Sequence, residues 1–319
     1  MPVLREMGTE MVKTITVCLA VYNGMPYLRQ QILSLQQQDD RDFRVLIQDD
    51  GSQDGSQEFL QEITGTDTRF HFGAHQGCHL GPAGNFLDLC RQGTGYIAPC
   101  DQDDVWAHDK LTVERKVMEQ TEKEHPGSPV LVHSDLQAID TEGNLLFPSM
   151  FDHQGWDFSA VRFAQLLVQN NVTGCTMLIN EPLRQLISHA QADQLFMHDW
   201  FIAQTASAFG IICPVRQPLV SYRQHEHNQI GASEGGTLQR TFRAFSKWDR
   251  TKTRLEWNYK EAKAFRAVYE DALSSQVRST LERFLAIEHM PKYRRAVALL
   301  RGGFLMQSPA TRIGQLLLT

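Results

Sequence analysis

The chain has 319 residues, 42% hydrophobic and 21% charged, a composition that supports a sizeable core and excludes a disordered chain. Its longest apolar runs, such as 15–22 and 209–214, fall far short of the roughly 20 residues of a membrane-spanning helix. The net charge of −6 is uneven: residues 1–237 hold 15 Lys+Arg against 30 Asp+Glu, residues 238–319 hold 16 against 7. An acidic body suits a site that takes up cations, and a basic tail suits an anionic surface. The first 14 residues carry Arg5, Glu6, Glu10 and Lys13 without the apolar stretch of a secretory signal, which reads as a cytoplasmic protein. Cys18, Cys78, Cys90, Cys100, Cys175 and Cys213 are scattered with no C-x-x-C pair, the pattern of reduced structural thiols.

In chain order, ITVCLAV at 15–21 predicts a strand, and Leu28, Ile32 and Leu35 place a helix over 27–37. FRVLIQ at 43–48 is a second strand, followed by a helix over 56–63, a short strand at 69–72 and a helix opened by Gly84-Asn85-Phe86. YIAP at 96–99, a helix over 109–120 and a strand at 130–134 continue the alternation, whereas 139–156 reads as a long surface loop. This pattern predicts an α/β fold with a mostly parallel central sheet flanked by helices. The glycine-rich segment 231–236 marks a junction, dividing the chain into a body at 1–236 and a basic helical extension at 237–319. In the extension, Leu255, Tyr259, Ala262, Phe265, Tyr269 and Leu273 fall at three- and four-residue steps.

Functional groups in such sheets collect where strands end. Asp49-Asp50-Gly51-Ser52 follows the apolar residues 45–47, so its carboxylates either bind a base or ribose across the sheet edge or shape a capped turn. Asp101-Gln102-Asp103-Asp104 follows the next apolar strand. Carboxylates so close repel one another unless donors or a cation neutralise them, and clustered oxygens suit Mg²⁺ or Mn²⁺ on a diphosphate. His198-Asp199-Trp200 opens an apolar helical segment, where Asp199 is either a general base beside a Trp200 wall or an acid that favours the helix dipole. Arg223 and His225 follow the apolar run 218–220 and are either donors to a leaving diphosphate or polar loop residues. His71, His75, Cys78 and His79 have zinc-like spacing but lack a second ligand pair of standard form.

Together these strings resemble the family 2 glycosyltransferases with the GT-A fold, in particular the bacterial rhamnosyltransferase-like branch that builds surface polysaccharide. They are VYNGMPYLRQQILSLQQQ at 21–38, IQDDGSQDGS at 47–56, GN at 84–85, CDQDDVW at 100–106, HDW at 198–200 and YRQHEHNQIG at 222–231. The resemblance implies that Val21, Tyr22, Asn23 and Asp50 cradle the nucleotide, that Asp101 and Asp103 contact nucleotide and metal, and that Asp104 contributes to donor-sugar recognition. It makes Asp199 the catalytic base, with Trp200 beside the pocket and Arg223 and His225 near the diphosphate. It further implies inversion by single displacement, Mg²⁺ or Mn²⁺ on Asp103, a nucleotide-diphosphate sugar as donor and a glycan or lipid-linked acceptor. Two departures stand out: His198 occupies a position often acidic, and His75-Gln76-Gly77 replaces an N-x-G turn.

The Arg- and Leu-bearing tail at 293–318 either attaches to an anionic membrane surface, on the inner face of the cell membrane, or packs on the core or a second copy. Two other classes compete. A phosphoryl-transfer enzyme of the haloacid-dehalogenase type needs acids on its first strand, and 15–21 has none. A non-catalytic nucleotide-sugar-binding module would need the same cleft without the base. Nucleic acid is disfavoured as a partner by the acidic body and the few, unpatterned tail aromatics.

Overall fold

The computed structural model describes residues 13–195, 197–225 and 240–318. The predicted junction at 231–236, residues 1–12 and the end of the 222–231 string lie outside the described residues.

Four parallel strands form one half of the sheet in the order β3 (Phe70–Phe72), β2 (Phe43–Asp49), β1 (Ile15–Val21) and β4 (Tyr96–Cys100). Helices α1 (Met25–Gln36), α2 (Ser56–Thr66) and α3 (Gly81–Gln92) connect them. β1 is buried almost throughout because helices cover both of its faces, which is why it reads as an unbroken apolar run. Beyond β4, the short β8 (Met177–Ile179) runs antiparallel between β4 and β6 (Val130–Ile139). β9 (Ile211–Arg223) is parallel to β6, and β5 (Val105–Trp106) pairs antiparallel with β9. Six of the nine strands among the described residues therefore run the same way, the mostly parallel sheet that the alternation predicts.

The segment 139–156 departs from its reading as a surface loop. It holds β7 (Leu145–Phe147), paired with β6, and helix α5 (Met150–Gln154). Phe151 is buried, its ring 4.3 Å from that of Phe158, and the Ser149 hydroxyl donates to Asp135 at 2.6 Å. These elements are too short to show a period, so individual aromatic contacts, Phe151 with Phe158 and Phe147 stacked on His153 at 3.9 Å, hold them in place of a stripe.

Residues of β1 alternate between two cores, as the period-two geometry of a strand requires. Ile15, Val17, Leu19 and Val21 join α1, α2 and α4 (Lys110–Glu124) on one face. Cys18 joins α3, α6 (Phe163–Leu166), α7 (Glu181–Ile187) and α8 (His198–Phe209) on the other. The carboxy-terminal helices α9 (Arg240–Tyr269), α10 (Ser275–Ile287), α11 (Lys292–Gly302) and α12 (Pro309–Leu318) complete this second core. The Phe265 ring lies 5.1 Å from Phe163, and the Tyr269 hydroxyl donates to the Leu186 carbonyl at 3.0 Å. The extension thus shares its apolar interior with the sheet-bearing body.

Candidate active site

Because β1, β2 and β4 are parallel neighbours, their carboxyl ends open on one side of the sheet, where unpaired backbone and loop side chains surround a cleft of about 460 Å³. Val21 and Tyr22 line it from β1, Asp50 from β2, and Asp101, Gln102 and Asp103 from β4, with His79, Pro82 and Phe86 closing the side under α3.

Two loops are locked by residues of the cleft wall. Gln102 accepts from the Tyr22 backbone N–H at 2.7 Å and donates to the Tyr22 carbonyl at 2.9 Å, joining the end of β1 to the acidic loop. A side chain on Gly24 would place its Cβ 2.4 Å from the Gln102 Oε1, so glycine there permits this brace. Asp49 accepts from the Gly51 and Ser52 backbone at 2.9 and 2.8 Å and shapes the turn. Gly51 has φ +102°, and a Cβ would fall 2.4 Å from the His79 ring. Asp50 accepts from the backbone N–H groups of Leu80 and Gly81 at 2.7 and 2.8 Å, so its carboxylate holds the loop that carries His79 into the cleft. Asn23 accepts from Gln53 at 2.9 Å in the same turn network rather than lining the cleft.

The acidic run separates into three environments. Asp103 meets the His225 Nε2 at 2.7 Å, and the His225 ring stacks on Tyr27 with centroids 5.2 Å apart. Asp101 is pushed up to about 8 by burial first, then by the like charges of Asp103 and Asp199. Asp104 is fully buried, accepts from the Arg223 backbone at 3.2 Å, and is pushed above the carboxylate range by burial and by Asp103 and Asp101. Its carboxylate, that of Asp101 and the Cys175 thiol lie within 4.8 Å of one another.

Asp199 sits in the first turn of α8. Burial pushes it up to about 7, while backbone N–H groups of Trp200 and Gly174 hold it down. Gly174 allows this approach, since a Cβ there would lie 3.0 Å from the His198 ring and 3.6 Å from the Asp199 Cβ. His198 stacks on Phe86 at 4.3 Å and burial holds it down to about 3, so a neutral ring stands beside Asp199 in place of a second acid.

Several expected contacts are taken up by protein groups instead. The Arg223 guanidinium is buried and donates to the carbonyls of Asp103, Asp140 and Thr141 and to Gln30, which directs it to the loop beneath the cleft rather than to a diphosphate. Asp104 is tied to the same strand end and is walled off from a sugar. Trp200 is buried and its indole N–H donates to the Leu166 carbonyl at 2.5 Å, so it packs behind Asp199 and does not line the cleft. Of the zinc-like group, His75 pairs with Asp88 at 2.8 Å and His79 faces the cleft. Gln102, Phe86 and Gly174 carry no site role in the sequence reading, although the matched strings hold Gln102 and lie next to Phe86, and His79 enters there only through the zinc-like spacing.

Residues 16–187, more than half of the chain, match the family described as Glycosyl transferase family 2. The chain belongs to this family. A dTDP-rhamnosyl transferase, RfbG, of Shigella flexneri is 26% identical over 227 residues, 67% of this chain and 74% of that protein. Among solved structures, S. aureus TarS 1–349 in complex with UDP-GlcNAc has a TM-score of 0.54 at 13% identity, covering 95% of this chain and 88% of that one. Of the longer TarS structure the chain covers 43%. The mannosyltransferase PcManGT from Pyrobaculum calidifontis, in complex with GDP-Man and Mn²⁺, has a TM-score of 0.52 at 15% identity, with 91% and 86% covered. The fold of this glycosyltransferase is therefore GT-A, with carboxy-terminal helices added.

Proposed function

We propose that this glycosyltransferase moves a sugar, with inversion, from a nucleoside-diphosphate donor to a hydroxyl of a glycan or lipid-linked acceptor in surface polysaccharide synthesis. The observation that carries the reading is convergence: Asp101 and Asp103, at the end of β4, line one cleft at the strand ends, and the buried Asp199 of α8 lies behind that lining, near enough to raise Asp101. In this reading Val21, Tyr22 and Asp50 form the nucleotide side of the cleft, while Arg223 and Asp104 position the Asp103 loop.

The donor set fits a divalent cation. Asp103 and His225 offer a carboxylate and an imidazole at the mouth, with Asp101 adjacent, whereas the Cys175 thiol is held protonated by burial and suits Mg²⁺ or Mn²⁺ poorly. When bound, the cation neutralises the departing diphosphate. The chain's own residues orient the donor and take the proton. The acceptor oxygen attacks C1 opposite the diphosphate, the new C1–O bond forms as the bond to the phosphate oxygen breaks, and the acceptor proton passes to Asp199. The leaving nucleoside diphosphate carries away the electron pair.

The experiment is a thermal-shift and transfer screen with Mn²⁺ and a panel including dTDP-rhamnose, UDP-GlcNAc and GDP-mannose. A cognate nucleotide at about 100 times its Kd adds roughly 2.7 kcal/mol and raises Tm by several degrees. A flat response to every nucleotide, without transfer, would sink the reading.

A general base must be ionised to act. With Asp199 at about 7, kcat/KM for transfer should rise about tenfold per pH unit below 7 and level off above it. A profile flat from pH 5 to 8 (roughly two decades expected) would assign the proton transfer elsewhere.

A further inference from the structure

We propose that α11 and α12 form a docking surface for an anionic phospholipid bilayer. Of the ten large hydrophobic side chains exposed among the described residues, five lie on these two helices: Tyr293, Val297, Leu300, Ile313 and Leu317. Three are among the most exposed of all, Tyr293 at 70%, Leu317 at 67% and Ile313 at 61%. On α11 the spacing 293, 297, 300 puts one stripe along a helix face, and on α12 the pair 313 and 317 does the same. Each helix already turns another side inward: Leu299 of α11 is buried in the core, Leu316 of α12 packs against it, and Gln315 donates to the carbonyl of Phe304, which with Met306 anchors the connecting segment, at 2.9 Å. The outward stripes are thus additional to what holds the helices down.

The charge around the stripes selects the occupant. Residues 289–319 contain no Asp or Glu but hold Lys292, Arg294, Arg295, Arg301 and Arg312. Arg295 is engaged with the carbonyls of Met290 and Glu288 and Arg312 with those of Met306 and Gln307, while Lys292, Arg294 and Arg301 are exposed beside the apolar residues. Cations that flank exposed Tyr, Val, Leu and Ile match a surface with anionic headgroups over acyl chains, the composition of interfacial helices. A second copy docked through the same patch would bring these cations together, since a two-fold interface pairs each patch with itself. A nucleic acid would answer the cations and leave the aliphatic stripes in water. No helix among the described residues is long and apolar enough to cross a membrane, so the contact is peripheral.

This inference goes beyond the transfer reading and is independent of the chemistry in the cleft. Its test is sedimentation of the full chain with phosphatidylcholine vesicles and with vesicles of roughly two parts phosphatidylcholine to one part phosphatidylglycerol. The wild type should bind the anionic vesicles at least about tenfold more tightly and release them as salt rises. Arg294→Gln with Arg301→Gln should weaken binding about fivefold for each cation removed. Leu300→Gln, Ile313→Gln and Leu317→Gln together should reduce it to the phosphatidylcholine background. All five positions are exposed, and an unchanged Tm shows that the variants fold. Vesicle binding equal in wild type and both variants would overturn the proposal. So would a dimer in analytical ultracentrifugation that the triple variant dissociates, which would make the patch a contact between copies. Preferential binding to an RNA or DNA duplex over the anionic vesicles would also overturn it.

Discussion

Asp199→Asn is expected to lower sugar transfer by about 10²- to 10⁴-fold while nucleoside diphosphate binding persists. The substitution keeps the shape and an acceptor oxygen for the Trp200 and Gly174 backbone, and removes the charge and with it the capacity to take a proton. His198 cannot replace it, since burial holds that ring down to about 3 and its stacking on Phe86 fixes it in place. Stability separates this outcome from misfolding. Burial raises the folded-state value of Asp199 to about 7 from an ordinary 3.8. Between those values the unfolded chain is the more ionised, so the carboxyl lowers stability as pH climbs through this window. Asn removes that effect, and the variant's Tm at pH 8, about a unit above this window, should equal or exceed that of the wild type. Normal turnover would take the base assignment away from Asp199.

The second large effect concerns the cation. Chelator should suppress both transfer and donor hydrolysis, Mn²⁺ or Mg²⁺ should restore them, and Asp103→Asn should lower transfer by about two orders of magnitude or more even with metal added. Asp103 is the residue to change because its carboxylate faces the cleft and meets His225 at 2.7 Å, whereas Asp104 is sealed beneath it. Asp103→Asn also removes a like charge beside Asp101, so a fall in nucleotide-dependent thermal shift that is larger with Mn²⁺ than without it identifies lost cation binding as the cause. Full activity in chelator would remove the metal from the mechanism.

The acids at 49–50, at 101–104 and at 199 were legible because each is a local signal: carboxylates placed just after an apolar strand or at the first turn of an apolar helix. The alternation of strands and helices was legible for the same reason, since side-chain periodicity is set by neighbours a few residues apart. The short elements at 145–154 carry too few residues to display a period, and they surfaced only through the burial of Phe151.

What each acid does was a different matter, decided by contacts between residues remote along the chain. Arg223 looked like a phosphate ligand by its residue type, yet it reaches Gln30, 193 positions away, and the carbonyls of the 140–141 turn. Asp50 looked like a ribose ligand, and it holds Leu80 and Gly81. Trp200 looked like a pocket wall, and Leu166 draws its indole inward. The primary sequence by itself determined which chemical groups the protein owns and which element carries each, because propensity and periodicity act over a few residues. Only the tertiary structure decided which carboxylates stay near water and which lose it, since burial and like charge belong to the assembled surroundings of a group and shift its proton affinity by several units.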